Sequence, residues 1–140
     1  MSSDYPLATR VEQFQARTLP HEQWNHEAHL CIALWTLHHF EWDEAIFRLR
    51  QEISSYNESI GVHNGPFSGY HETITHFFAR AVQHFLRQHP EEEDLEKLWP
   101  ALISQWGDKN LVLRYYSKRY LFSPATRAQF APPDLRPFDF

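Results

Sequence analysis

The sequence predicts an all-α fold, a single-domain bundle of four to five main helices with an extended C-terminal tail. Apolar residues recur at intervals of three and four along most of the chain, which is the spacing of one face of an α-helix. No segment shows the sustained alternation of apolar and polar residues that is typical of a half-buried β-strand. The chain has 140 residues, enough for one core, so one domain is predicted to span 1–140.

Two consecutive helices are predicted in the first half of the chain. The run HEAHLCIALWTLHHF, residues 26–40, follows Asn25, a residue type that caps helix N-termini. The next amphipathic stretch, EAIFRLRQEISSYNESI at 44–60, follows Asp43, which we expect to be its N-cap. Gly61 then stands where a glycine commonly ends a helix.

Further helices are predicted in the second half. A helix over about 70–88 carries an apolar face and ends before Pro90. An acidic segment then opens another helix, which Pro100 is expected to divide. Ser123 followed by Pro124 is typical of a helix start, because serine caps the helix and proline fits its first position.

Both ends of the chain are predicted to lie outside the helices. Residues 1–7 are expected to fray. The segment APPDLRPFDF, residues 131–140, is rich in proline, which lacks a backbone N–H and cannot continue a helix. We therefore expect this segment to be an extended tail that lies across the body.

Composition excludes several classes of protein. The formal net charge of −5 argues against binding to nucleic acid or to an anionic membrane surface, both of which need a basic face. No apolar stretch approaches the roughly 20 residues of a membrane span. The single cysteine, Cys31, rules out a disulfide framework within the chain, which indicates a reducing compartment. The sequence predicts a soluble, cytoplasmic protein.

The helix at 26–40 is apolar on nearly all sides, because Trp35 and the preceding Trp24 point away from its main stripe. Such a helix either lies at the centre of the bundle or is covered by the tail or by a second copy of the chain. A homodimer is therefore one of the predicted partnerships.

Three of the ten histidines are predicted to face the interior. At about 100° per residue, His26 and His29 fall on or beside the apolar stripe of their helix, and His71 falls beside the stripe of the helix at 70–88. All three lie near helix starts, so two helices packed side by side can bring them together. Histidines at i and i+3, with a third from another helix, form a three-nitrogen face that leaves coordination positions open. The pattern predicts a metal site.

A site of this kind predicts a metal-binding protein, and with it a small metal-dependent enzyme that acts on a small organic molecule. Three imidazoles suit a divalent transition metal, Fe, Zn, Cu or Ni, and do not choose among them. Glu72 or Glu27 would be the general base or a fourth ligand, and Tyr70 a hydroxyl that binds substrate or supports a ligand. The simpler role of Glu72 is a carboxylate in a first helical turn, where it favours the helix dipole.

The same histidines have a second interpretation, in which no ion is bound and the protein is not an enzyme. An inward-facing histidine commonly bonds backbone carbonyls and hydroxyls. The alternative function is a non-enzymatic helical binding or regulatory module whose histidines form a buried hydrogen-bond network. A metal site needs three ring nitrogens about 2.0–2.1 Å from one point, whereas a network shows each ring bonded to protein oxygens.

Three segments carry a resemblance to a known family. HEAHL at 26–30, YHETIT at 70–75 and YYSKRYLFSPATRAQFAPPDL at 115–135 together resemble a family of small bacterial all-helical proteins without an established activity. The resemblance implies a helical domain and supplies no reaction. In the tail, the matching positions are Tyr116, Ser117, Ser123, Arg127 and Asp134. We interpret this segment as structural, with Arg127 pairing an acid; the alternative is that it closes a pocket.

Overall fold

The computed structural model describes residues 6–140, and in this range the chain forms helices and no β-strand. The five main helices are α1 (Leu7–Gln15), α2 (His26–His39), α3 (Trp42–Ser59), α4 (Glu72–Gln88) and α5 (Leu95–Trp106). Shorter helices are α6 (Lys118–Leu121) and α7 (Pro124–Ala128), with 3₁₀ turns at His21–Gln23 and Lys109–Arg114. The predicted all-α bundle is confirmed. The predicted fraying of 1–7 is wrong at Leu7, which is buried in the core as the first residue of α1. The rest of that prediction falls mainly on residues 1–5, which lie outside the described residues.

Helix α2 is the central helix, because it packs against α1, α3, α4 and α5. Its buried side chains are Ala28, Leu30, Cys31, Ile32, Ala33, Leu34 and Thr36. The helices of the same chain thus account for the apolar character of α2 without a second copy. The homodimer stays a prediction.

Three predicted helix ends are confirmed by their local geometry. Asn25 caps α2, since its side-chain oxygen accepts from the backbone N–H of Ala28 at 2.9 Å. Ser123 caps α7 in the same way through the backbone N–H of Thr126, at 3.3 Å. Gly61 follows α3 with a φ of +80°, a left-handed conformation that glycine adopts without strain.

Two predicted boundaries are wrong. Helix α3 begins at Trp42 after Glu41, so that Asp43 lies inside the first turn and does not cap it. The helix begins one residue before Asp43 because Trp42, as its first residue, packs its indole against the core. Helix α5 continues through Pro100, because the apolar face on both sides of this residue is buried.

The tail at 131–140 is extended, as predicted, and it is fastened to the body. The fastening bonds run from the Tyr116 hydroxyl to the Ala131 carbonyl, from the Tyr120 hydroxyl to the Pro132 carbonyl, and from Ser117 to the Asp134 carboxylate. Phe138 and Phe140 then pack against Phe77 of α4. The tail is part of the folded body.

Two further predictions concern the environment of the chain. Among residues 6–140, no helix combines the length and the apolar character that a membrane crossing requires. Cys31 is free and fully buried, and burial raises the pKa of its thiol to about 12. A thiol of this kind packs as a small apolar side chain and stays protonated at neutral pH.

Candidate ligand cavity

A cavity of about 580 Å³ lies between α2, α3, α4 and the segment at 109–122. We call it the main chamber. Most of its wall is apolar, contributed by Trp24, Ala33, Leu49, Ile53, Ile74, Phe78, Val112, Leu113 and Phe122. The polar part of the wall includes His26 and His29. Helix packing thus leaves an apolar space beside two of the three histidines that the sequence singles out.

A second cavity of about 260 Å³ adjoins the main chamber, and we call it the side chamber. The two share four wall residues, His29, Ile53, Ile74 and Thr75. The side chamber adds polar groups that the main chamber lacks, namely Asn57, Tyr70, His71 and Arg127. The two chambers thus lie side by side, the main chamber mostly apolar and the side chamber with a larger share of polar groups.

The loop between α3 and α4 shapes the side chamber. Asn64 organises this loop, since its side chain donates to the Ser54 carbonyl at 2.9 Å and accepts from the backbone N–H of Tyr70 at 2.9 Å. Gly69 has a φ of +77°, and a Cβ there would lie 2.5 Å from the His63 carbonyl oxygen. Only glycine fits this position, which sets the entry into α4.

His29 is held at the junction of the chambers. Its Nδ1 lies 2.8 Å from the Asn25 carbonyl oxygen, and its ring packs on Trp24 at 3.9 Å between centroids. A carbonyl can only accept, so Nδ1 carries the hydrogen and Nε2 keeps a lone pair. Burial lowers the pKa of His29 to about 4, so the ring is neutral at pH 7.

His26 has the opposite tautomer. Its Nε2 lies 3.0 Å from the Trp106 carbonyl oxygen, which again only accepts, so the lone pair of the neutral ring is on Nδ1. The ring meets Phe78 edge-on at 4.5 Å. Burial lowers the pKa of His26 below its ordinary value. The main chamber therefore has two neutral imidazoles in its wall.

His71 is fully occupied by hydrogen bonds. It is the N-cap of α4, where its Nδ1 accepts from the backbone N–H of Ile74 at 3.1 Å. Its Nε2 lies 2.8 Å from the Leu121 carbonyl oxygen and donates to it. Burial lowers the pKa of His71, which keeps the ring neutral and suited to this pair of bonds.

The predicted metal-binding function is wrong. Among residues 6–140, no group of three or more His, Cys, Asp or Glu side chains is placed so that it could hold a metal ion. The physical reason is that His26, His29 and His71 each bond a different backbone carbonyl, and His71 has no lone pair left. These findings favour the alternative, in which the histidines belong to a hydrogen-bond network within a binding module.

The three residues proposed for catalysis lie apart from the main chamber. The Glu72 carboxylate accepts from Arg50 Nε at 3.0 Å, from Arg50 Nη2 at 2.7 Å and from the Tyr70 hydroxyl at 2.8 Å. Burial acts to raise the pKa of Glu72, but the hydrogen bonds from Arg50 and Tyr70 outweigh it and hold this pKa below its ordinary value. Glu27 is half-buried and lines neither chamber. The catalytic roles of Glu72, Glu27 and Tyr70 stay predictions.

Sequence reasoning missed the cations of the cavity wall. Lys109 and Lys118 line the main chamber, and Arg127 lines the side chamber. The sequence suggested that Arg127 pairs an acid, but within residues 6–140 it donates through Nη1 to the Gly69 carbonyl at 2.8 Å and to the Tyr70 carbonyl at 3.4 Å, and it pairs no carboxylate there. The resemblance does include Arg127 among its matching positions, but nothing local to α7 indicates where its side chain goes.

Comparison of the chain with family models, with curated proteins and with solved structures found no match. The resemblance to a bacterial helical family therefore stays a prediction.

Proposed function

We propose that the protein is a non-enzymatic helical binding module that takes a small, largely apolar organic molecule into the main chamber. The observation that carries this proposal is the apolar space of about 580 Å³ bounded by α2, α3 and α4. Cavities of this size and character are typical of small-molecule sites. Small-molecule sites commonly lie in concave spaces between helices, which is where this cavity lies.

The walls support a ligand that is apolar over most of its surface. Leu49, Ile53 and Ile74 offer aliphatic surface, and Trp24 and Phe78 offer aromatic faces. Filling the chamber would remove this surface from water, at about 25 cal/mol for each Å² of apolar area. The hydrophobic contribution alone therefore favours occupation.

The histidines support a polar contact at one point of the ligand. In the neutral tautomers assigned above, Nδ1 of His26 and Nε2 of His29 each carry a lone pair. A hydroxyl or an N–H of the ligand could donate to either one. In this proposal the hydrogen bonds to the Trp106 and Asn25 carbonyls hold the two rings in place. The other nitrogen of each ring then selects a ligand that can donate to it.

The cytoplasm is the compartment we propose for this module. Cys31, the single cysteine, is free and buried, which suits a reducing environment.

A neutral environment-sensitive dye, N-phenyl-1-naphthylamine, tests the proposal. We expect saturable binding with a rise in dye fluorescence. Ile74→Phe places a larger ring in the wall shared by both chambers and should weaken binding at least about tenfold, or about 1.4 kcal/mol.

The matched control is Leu86→Phe, on the same helix, where Leu86 is also half-buried but lines neither chamber. It should bind the dye as the wild type does. If the dye does not bind the wild type saturably, or if both variants bind it equally well, the chamber is not a ligand site.

A further inference from the structure

The charged Lys and Arg side chains that line the two chambers have no Asp or Glu beside them in the walls, among residues 6–140. The chain has 18 acidic and 13 basic residues, yet no Asp or Glu of residues 6–140 lines either chamber. Three cations do line them, Lys109, Lys118 and Arg127. The whole chain has a net charge of −5, so the charge of the chamber walls is opposite in sign to that of the protein. A positive wall favours an anion in the cavity.

Arg127 differs from the three arginines that form ion pairs with carboxylates among residues 6–140. Arg48, Arg50 and Arg136 each pair a carboxylate within 4.0 Å. The half-buried Arg127 instead donates to two backbone carbonyls, which fix the guanidinium without neutralising it. Burial lowers the pKa of Arg127, which reflects the cost of keeping this charge partly out of water.

The carboxylate at the start of α4, Glu72, is already paired with a cation. Glu72 accepts two hydrogen bonds from Arg50 and one from Tyr70, whose ring lines the side chamber. It therefore cannot serve as the counter-ion of Arg127 without giving up these bonds.

Resting on the proposed function, we infer that the ligand is an organic acid whose carboxylate binds Arg127 in the side chamber while its apolar body fills the main chamber. The walls of both chambers include Ile53, Ile74 and Thr75, so the chambers lie side by side, and the inferred ligand extends from one into the other. A guanidinium held in one orientation matches the two oxygens of a carboxylate. Lys109 and Lys118 are exposed, so they act at the entrance, where they attract an anion.

The test compares two competitors with one carbon skeleton, 4-phenylbutyrate and 4-phenylbutanol, each displacing N-phenyl-1-naphthylamine. For the wild type we expect the carboxylate to compete about tenfold better than the alcohol, because it alone gains charge-assisted hydrogen bonds. Arg127→Gln should abolish this preference, measured as the ratio of the apparent affinities of the two competitors for the same variant. The control Lys97→Gln removes an exposed cation that lines neither chamber, and it should keep the preference.

Each failure has its own signature. Equal competition by acid and alcohol in the wild type overturns the inference while the dye still reports a working chamber. A preference that survives Arg127→Gln but disappears in the double variant Lys109→Gln, Lys118→Gln also overturns it, since the anion would then bind at the entrance. If the wild type does not bind the dye, the proposed function itself fails.

A second variant covers the case in which Arg127→Gln does not fold. Arg127→Lys keeps the charge and loses the planar pair of donors. A reduced preference for 4-phenylbutyrate in this variant supports the inference, and an unchanged preference overturns it.

Discussion

His71 and Leu121 are joined across the interior of the protein, with the ring Nε2 of His71 2.8 Å from the carbonyl oxygen of Leu121. The other ring nitrogen accepts from the backbone N–H of Ile74 and caps α4. One neutral side chain therefore fixes the start of α4 and ties α6 to it. These two hydrogen bonds explain why the His71 side chain faces the interior, and no bound ion is needed for the explanation.

We predict that the two bonds of His71 can be separated by substitution. His71→Ala loses both and should lower the free energy of unfolding by roughly 2–3 kcal/mol. His71→Asn should lose only about 1 kcal/mol, because asparagine is a good N-cap but does not reach Leu121. Urea unfolding followed by far-UV circular dichroism measures both values.

The comparison needs a histidine whose side chain forms no hydrogen bond within residues 6–140. His21, exposed in the first 3₁₀ turn, is such a residue, and His21→Ala should be within about 0.5 kcal/mol of the wild type. Equal losses for His71→Ala and His71→Asn would contradict the capping role.

We predict that stability falls as the pH drops from about 6.5 towards 4. His29 has an ordinary pKa of 6.5 and a pKa of about 4 in the folded protein, lowered by burial. Between these values the unfolded chain binds a proton that the folded protein does not, so the free energy of unfolding decreases with falling pH. The pKa values of His26 and His71 are lowered in the same direction.

The contribution of His29 is isolated by difference. At about 1.4 kcal/mol per pH unit, the fall of this pKa from 6.5 to about 4 would be worth about 3.4 kcal/mol, and partial exposure of the ring reduces this value to roughly 2 kcal/mol. His29→Gln keeps a donor for the Asn25 carbonyl and does not titrate, so its unfolding free energy should depend less on pH. If His29→Gln shows the same slope as the exposed-loop variant His63→Gln, the assignment to His29 is wrong.

Much of the fold follows from local signals in the sequence. Asn25, Gly61 and Ser123 mark helix ends because capping depends on the few residues around each end. The inward position of His26 and His71 also follows from helical periodicity. These features need no knowledge of which helices are neighbours.

The partners of the inward side chains could not be predicted in the same way. His26 bonds a carbonyl 80 residues away in the chain, and His71 bonds one 50 residues away. Three inward histidines are equally compatible with one shared ion and with three separate carbonyls, and only the packing of the helices decides between them. The cavity and its cations depend on the same long-range packing, which explains why Arg127 was expected to pair an acid.

We predict that the ion pair between Arg50 and Glu72 contributes measurably to stability. Glu72→Gln keeps the shape of the side chain but removes the charge that accepts from Arg50 and Tyr70. Because the Glu72 side chain is only 9% exposed, we expect a loss of about 1–2 kcal/mol, reduced from a fully buried pair by the exposure of Arg50.

The control for this prediction is Glu44→Gln, which breaks a pair with Arg48 in which both side chains are at least 40% exposed. A loss of less than about 0.5 kcal/mol is expected there, since exposed pairs on one helix contribute little. Chemical denaturation of both variants at neutral pH gives the comparison. Equal effects would show that burial does not strengthen the Arg50–Glu72 pair.

Pro100 gives the last prediction, because it lies inside α5 against the expectation from sequence. A proline at this position removes one helical hydrogen bond, and the helix persists because Leu98, Trp99 and Leu102 are buried around it. Pro100→Ala restores the missing N–H at an exposed position. We expect it to raise the free energy of unfolding by about 1–2 kcal/mol, because the gain in helix propensity exceeds the cost of a more flexible unfolded chain.

The control is Pro90→Ala, in the turn before α5. It makes the unfolded chain more flexible in the same way but restores no helical hydrogen bond, so it should not raise the free energy of unfolding. A Pro100→Ala variant no more stable than Pro90→Ala would mean that the helix is shaped around the proline and does not merely tolerate it.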